Sequence, residues 1–124
     1  MSLVEIERMD GVPIAHVHGD IDAANVASTQ RQLGDALGPD ASSLVVDLSE
    51  TRYLDSAGID MLLRLSARLE HRRAKLCLVI PEGSQLQRLA MIVGLSDAIA
   101  IYPSLVEGLQ EAVKRPPAQS TATT

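Results

Sequence analysis

The chain has 124 residues, of which 46% are apolar and 22% charged, with a net charge of −5. That is enough apolar sequence for one ordinary core, it excludes a disordered polypeptide, and the acidic balance argues against nucleic acid as a direct partner. No apolar run is long enough to cross a bilayer, residues 1–10 carry no signal-peptide pattern, and a lone Cys77 excludes an intramolecular disulfide, so the expected location is a reducing cytoplasm.

The elements read as follows in chain order. Val4-Glu5-Ile6-Glu7 alternates apolar and polar residues, as a half-buried strand does. Asp10-Gly11 signals a tight turn, and residues 14–18 alternate again, which predicts an antiparallel hairpin. Gly19-Asp20-Ile21-Asp22 breaks the strand. A helix is expected over residues 23–37, with Asp22 as its N-cap and Val26, Leu33 and Leu37 facing inward. Gly38-Pro39 ends it. Residues 44–48 are nearly all apolar, the mark of a strand covered on both faces.

A second helix is expected over residues 58–71, with Ile59, Leu62, Leu63, Ser66 and Leu69 on one side. Residues 75–80 form another apolar strand, stopped by Pro81. Ser84 and Gln87 suggest a capping box for a third helix, with Leu86, Leu89, Ala90 and Val93 inward and Gly94 closing it. A short strand follows at residues 98–101. Ser104 and Glu107 suggest a second capping box before a helix with Leu105, Leu109, Ala112 and Val113 inward. With only two Tyr and neither Phe nor Trp, the core must be aliphatic. The order ββαβαβαβα predicts an α/β domain over residues 1–114, with a mixed, mostly parallel sheet, an N-terminal hairpin and about four helices. Residues 115–124 turn to Pro, Ala, Ser, Gln and Thr, a composition expected to stay disordered.

Little in the chain can perform chemistry. There is no phosphate-binding glycine loop and no serine nucleophile elbow. His16 and His18 share one side of a strand, but two residues are too few for a metal site, and a polar rim is the better reading. Cys77 sits in an apolar strand and reads as core. Loops after parallel strands gather at the carboxyl edge, which would bring Asp22, Asp47, Asp55 and Ser56 together. Such a cluster could hold magnesium, but solvated loop charge with helix capping explains it better.

The informative stretch is Asp55-Ser56-Ala57-Gly58, which follows a strand and opens a helix. The orphan N–H groups and partial positive charge of a helix mouth tolerate an added anion, so a serine there can carry a phosphate. Both Asp55 and Ser56 are also favoured N-caps, worth about 1 kcal/mol, which explains either without any function. The two readings are compatible, because a capping hydroxyl stays available to an enzyme.

Leu44-Val45-Val46-Asp47-Leu48-Ser49 followed by Tyr53-Leu54-Asp55-Ser56-Ala57-Gly58 resembles the signature of STAS domains, and more narrowly that of bacterial anti-sigma factor antagonists. Gly19-Asp20-Ile21-Asp22 is similar to the motif these proteins carry after the second strand, and Leu89, Gly94-Leu95 and Ile101-Tyr102 are similar to their third helix and last strand. The resemblance implies partner switching without catalysis and without a cofactor or metal. The unmodified antagonist binds an anti-sigma factor, a GHKL-type serine kinase, and so frees a sigma factor. The kinase phosphorylates the serine that corresponds to Ser56, and a PP2C-type phosphatase reverses this. Asp20, Asp22, Asp55, Ser56, Ala57 and Gly58 are then the expected partner-binding residues, with Arg64 and Arg68 as further contacts on the exposed helix face.

Two positions depart from the family pattern. Ala57 stands where Ser or Thr is common, which removes a competing acceptor. Asp60 adds a negative charge expected in the first helical turn. The alternatives are a subunit of a lipid-transport or stressosome-like complex, and a small nucleotide-binding protein using Asp22, Asp47 and Asp55.

Overall fold

Asp10 and Gly11 adopt φ of 52° and 79°, the left-handed pair that a two-residue hairpin needs. They join β1 (Val4–Met9) to β2 (Val12–Val17), which pair antiparallel from Val4↔Val17 to Met9↔Val12. The computed structural model describes residues 3–114, so the tail expected at 115–124 lies outside the described residues. Within them the chain continues through α1 (Val26–Leu37), β3 (Ser43–Asp47), α2 (Ser56–His71), β4 (Lys75–Val79), α3 (Gln85–Ile92), α4 (Leu95–Ala98), β5 (Ala100–Tyr102) and α5 (Leu105–Val113). The sheet order is β1-β2-β3-β4-β5, and every pairing after the hairpin is parallel. This is the expected α/β architecture with one additional helical turn.

Alternation along the strands divides the core between two faces. Ala15, Val17, Leu44, Val46, Leu76 and Leu78 point toward Leu33 and Leu37 of α1, Leu62 and Leu65 of α2, Leu86 of α3 and Leu95 of α4. Ile14, Val45, Cys77 and Val79 point the other way, against Ala112, Leu105 and Leu109 of α5. Cys77 is fully buried there, as its apolar context implied. Truncating one of these buried leucines to alanine should cost about 2–5 kcal/mol.

Several local expectations are corrected. The helix expected from residue 23 begins at Val26, with Asn25 rather than Asp22 at its N-cap position. The carboxylate of Asp22 instead closes the preceding turn, accepting from the amides of Ala24 (2.9 Å) and Asn25 (3.2 Å). In α2 the buried stripe is Gly58, Met61, Leu62, Leu65 and Leu69. Leu63 lies about 100° round the helix from Leu62 and is exposed. Ile59 and Ser66 are half-buried. Val93 and Val113 also face solvent, because each lies at a helix end beyond the packed stripe. Gly94, at φ 78°, ends α3 and also opens α4, a four-residue helix too short to show periodicity in sequence.

Ser84 and Ser104 cap α3 and α5 as read, accepting from Gln87 N (3.1 Å) and Glu107 N (3.2 Å). Gln87 returns a bond to the amide of Gly83, one residue before the cap. In β1 only Val4 is buried, and Ile6 is 41% exposed at the sheet edge. Arg8 of that edge strand reaches across to donate to Ala36 O, one of the last carbonyls of α1.

Candidate functional site

Two loops at the carboxyl edge of the sheet, residues 19–25 after β2 and 48–55 after β3, are joined at five points. Thr51 Oγ1 donates to Gly19 O (2.8 Å). One carboxylate oxygen of Asp20 accepts from the amides of Arg52 (2.8 Å) and Tyr53 (3.1 Å). Ile21 and Leu54 form a parallel bridge. Asp55 N donates to Ile21 O (3.3 Å), and Asp55 Oδ2 accepts from Ala23 N (3.1 Å). Residues more than thirty apart in sequence thereby become one surface.

Asp55 is the N-cap of α2. Its Oδ1 accepts from Gly58 N at 3.0 Å while its Oδ2 holds Ala23, so one side chain both starts the helix and fixes the neighbouring loop. Ser56 is therefore the first helical residue and not the cap. It is exposed, and no side-chain hydrogen bond to it occurs among the described residues. The capping explanation falls to Asp55 alone and leaves the Ser56 hydroxyl uncommitted. Gly58 is buried, and a Cβ placed there would lie 3.1 Å from Ile21 O and 3.3 Å from two Ile21 side-chain carbons. The glycine is required because the 19–25 loop crosses directly against the first turn of α2. Ala57, between them, is half-buried.

The remaining acidic residues are dispersed by their bonds. Asp20 and Asp22 spend their carboxylates on backbone amides of the two loops, and both are exposed. Asp47 turns to the opposite side of β3, accepting from Ser49 N (3.0 Å) and Ser49 Oγ (2.7 Å) through one oxygen and meeting His16 Nδ1 at 2.7 Å through the other. The clustering of Asp22, Asp47 and Asp55 is thus corrected. Among the described residues no group of three or more His, Cys, Asp and Glu side chains is placed to hold a metal ion. Asp60 lies in the second turn of α2, not the first, and its carboxylate meets Arg64 Nε at 2.8 Å. Arg68 is exposed on the same helix.

His16 and His18 form a polar rim on the α5 side of the sheet, at this same edge. His16 lies between Asp47 and Glu7, 2.7 Å from each, and His18 between Glu5 (2.9 Å) and Glu50 (3.2 Å). Partial burial opposes charge on His16, but its hydrogen bonds to Asp47 and Glu7 outweigh that, so its pKa is raised above the ordinary 6.5. Hydrogen bonds to Glu5 and Glu50 raise that of His18 as well. These carboxylate partners were not legible in the sequence, since only the strand register sets Glu5 opposite His16, leaving Glu7 diagonal to His16 and Glu5 diagonal to His18, and sets Asp47 opposite His16.

A match to the STAS domain family model spans residues 4–108. Over 106 residues the chain is 26% identical to the anti-sigma-F factor antagonist RsfB of Mycobacterium tuberculosis, covering 86% of this chain and 85% of that protein. Among solved structures, an anti-sigma factor antagonist from Mycobacterium paratuberculosis superposes with a TM-score of 0.73 at 25% identity, covering 88% of this chain and 92% of that one. SpoIIAA, a Bacillus cell fate determinant, is similar in fold in its unphosphorylated form, with a TM-score of 0.68 at 15% identity over 87% of this chain and 94% of that one.

Proposed function

The chain belongs to the STAS domain family, and from that premise we propose that it is an anti-sigma factor antagonist whose docking face is switched by phosphorylation of Ser56. The observation that carries this reading is the exposed, uncommitted hydroxyl of Ser56 on the first turn of a 16-residue helix, set between two loops locked together by Asp20 and Asp55. The similarity to RsfB over most of both chains supports the same assignment.

Electrostatics supports a switch of this kind. A phosphoserine carries roughly −1.5 to −2 charges at pH 7. On the first turn of α2 it meets the positive end of the helix dipole, so the domain tolerates it. A partner packed over Ser56 would instead have to take that charge out of water next to the Asp55 carboxylate. Burying a charge at an interface with no counter-charge costs on the order of several kcal/mol. At about 1.4 kcal/mol per tenfold, one phosphate then removes most of the affinity while the fold persists.

In this reading the partner is an anti-sigma factor that is also a GHKL-type serine kinase, and a PP2C-type phosphatase resets the switch. Its footprint takes in Asp20, Asp22 and the segment from Asp55 to Gly58. Catalysis belongs to those partners and not to this chain, and the setting is the cytoplasm. No helix among the described residues is long and apolar enough to cross a membrane. The test is to incubate the purified chain with candidate anti-sigma factors and Mg-ATP, then map the modified peptide. Phosphate on Ser56, with loss of complex, is the expected outcome. A label on another residue, or none with every candidate, ends the proposal.

A further inference from the structure

We propose that His16 and His18 form a proton-operated clamp on the β3–α2 loop, the segment that presents Ser56. The geometry itself demands the charged ring. Each imidazole places both of its nitrogens on carboxylates: His16 on Asp47 and Glu7, His18 on Glu5 and Glu50. A neutral imidazole has one N–H and one lone pair, so it can donate to only one of its two carboxylates and presents electrons to the other. His16 makes both as hydrogen bonds of 2.7 Å, which together require the imidazolium; His18 makes one, to Glu5, and an ion-pair contact of 3.2 Å to Glu50 that favours the charged ring.

The clamp acts across three parts of the fold. Glu5 and Glu7 lie on edge strand β1, the histidines on and just after β2, and Asp47 and Glu50 at the end of β3 and in the following loop. These four carboxylates are the negative groups that meet the rings; the two rings lie nearly parallel with centroids 6.4 Å apart, so each is also the other's positive neighbour and the carboxylates offset that repulsion. The second oxygen of Asp47 orders the first turn of the loop through Ser49 N and Ser49 Oγ. Glu50 ties the next residue of that loop to His18. Further along, Thr51 on Gly19 and the Arg52 and Tyr53 amides on Asp20 hold the loop independently of histidine charge. Leu48, fully buried, is likewise held by its amide on Val79 O and by Thr51 N on its carbonyl, so deprotonation loosens Ser49 and Glu50 first and leaves 47–48 and 51–55 anchored. It also strips two positive charges from a rim of four carboxylates.

Acidification in the physiological range thus tightens the loop, and alkalinisation loosens it. The consequence for partner affinity rests on the docking role of Ser56; the clamp itself does not. The test therefore begins with the chain alone. Ring-proton signals of His16 and His18 and the amide signals of Ser49 and Glu50 are followed by NMR from pH 5.5 to 8.5. The Ser49 and Glu50 amides should titrate with the ring midpoints, those of Leu48, Arg52 and Tyr53 should move less, and amide exchange at Ser49 and Glu50, corrected for its intrinsic pH dependence, should quicken several-fold at the alkaline end. In a His16→Gln/His18→Gln variant the loop titration should vanish. Glu50→Gln, an exposed and fold-safe change, should lower the His18 midpoint alone.

Loop amides that stay still while the rings titrate, or that titrate unchanged in the double variant, overturn the proposal. Affinity for the anti-sigma partner, measured at both pH extremes, then reports the consequence. Absence of binding at every pH would count against the docking reading without touching the clamp.

Discussion

Replacing Asp55 separates two jobs that one carboxylate performs. Its Oδ1 caps α2 at Gly58 N and its Oδ2 holds the 19–25 loop at Ala23 N, at 3.0 and 3.1 Å. Loss of an N-cap costs about 1 kcal/mol. The loop bond accepts onto a charged oxygen but is exposed, so about another 1 kcal/mol is appropriate. Asp55→Ala should therefore destabilise by about 2 kcal/mol, or about 8 °C in Tm at about 4 °C per kcal/mol for a domain of this size. Asp55→Ser keeps a hydroxyl that can cap Gly58 but is too short to reach Ala23 at the same time, so it should recover about half of the loss. Urea denaturation followed by far-UV circular dichroism gives both values, since the chain has no Trp to report by fluorescence. If Ser proves as damaging as Ala, or if Ala costs less than about 0.5 kcal/mol, then Asp55 does not work through these two bonds.

Three further outcomes follow from the same geometry. Gly58→Ala should destabilise by about 1–3 kcal/mol, because the new methyl meets Ile21 O at 3.1 Å; the usual gain of about 0.5–1 kcal/mol from removing a helical glycine should not appear, and a raised melting temperature would contradict the crossing described. Ser56→Ala should bind the anti-sigma partner as wild type does, while Ser56→Glu should stay folded and bind about a hundredfold more weakly or worse; calorimetry showing equal affinity for the two variants would remove the electrostatic basis of the switch. For His16 the folded pKa lies above the unfolded 6.5, so its ion pairs contribute stability that is full below pH 6.5 and fades as pH rises through the folded value. The stability gap between wild type and His16→Gln should accordingly be wider at pH 6 than at pH 8.5, and a gap that widens with alkalinity would show the sign to be wrong.

How much of this could be read from sequence depended on range. Ser84 and Ser104 were legible as caps because the donor each satisfies lies three residues away on the same helix. Asp22 misled for a related reason: its carboxylate does bond nearby amides, but those of a turn, and nothing local distinguishes that turn from the first turn of α1. The inward faces of the helices were read to within one position, yet Leu63, Val93 and Val113 fell on the wrong side. A helix stripe is defined by what it packs against, and a single chain segment does not contain its neighbour.

The amino-acid sequence by itself determined the order and type of every element except the four-residue α4, the hairpin at Asp10-Gly11, the mostly parallel sheet, the aliphatic core and the position of the Asp55–Gly58 motif. Each of these is a consequence of periodicity, turn chemistry or composition, which act over a few residues. Only the tertiary structure decided that Asp55 and not Ser56 is the cap, that Gly58 must be bare because Ile21 lies on it, and that two histidines meet four carboxylates. The loop-to-loop contacts join positions more than thirty apart and the ion pairs join different strands, so they come into being only when strand order and register bring those strands and loops side by side.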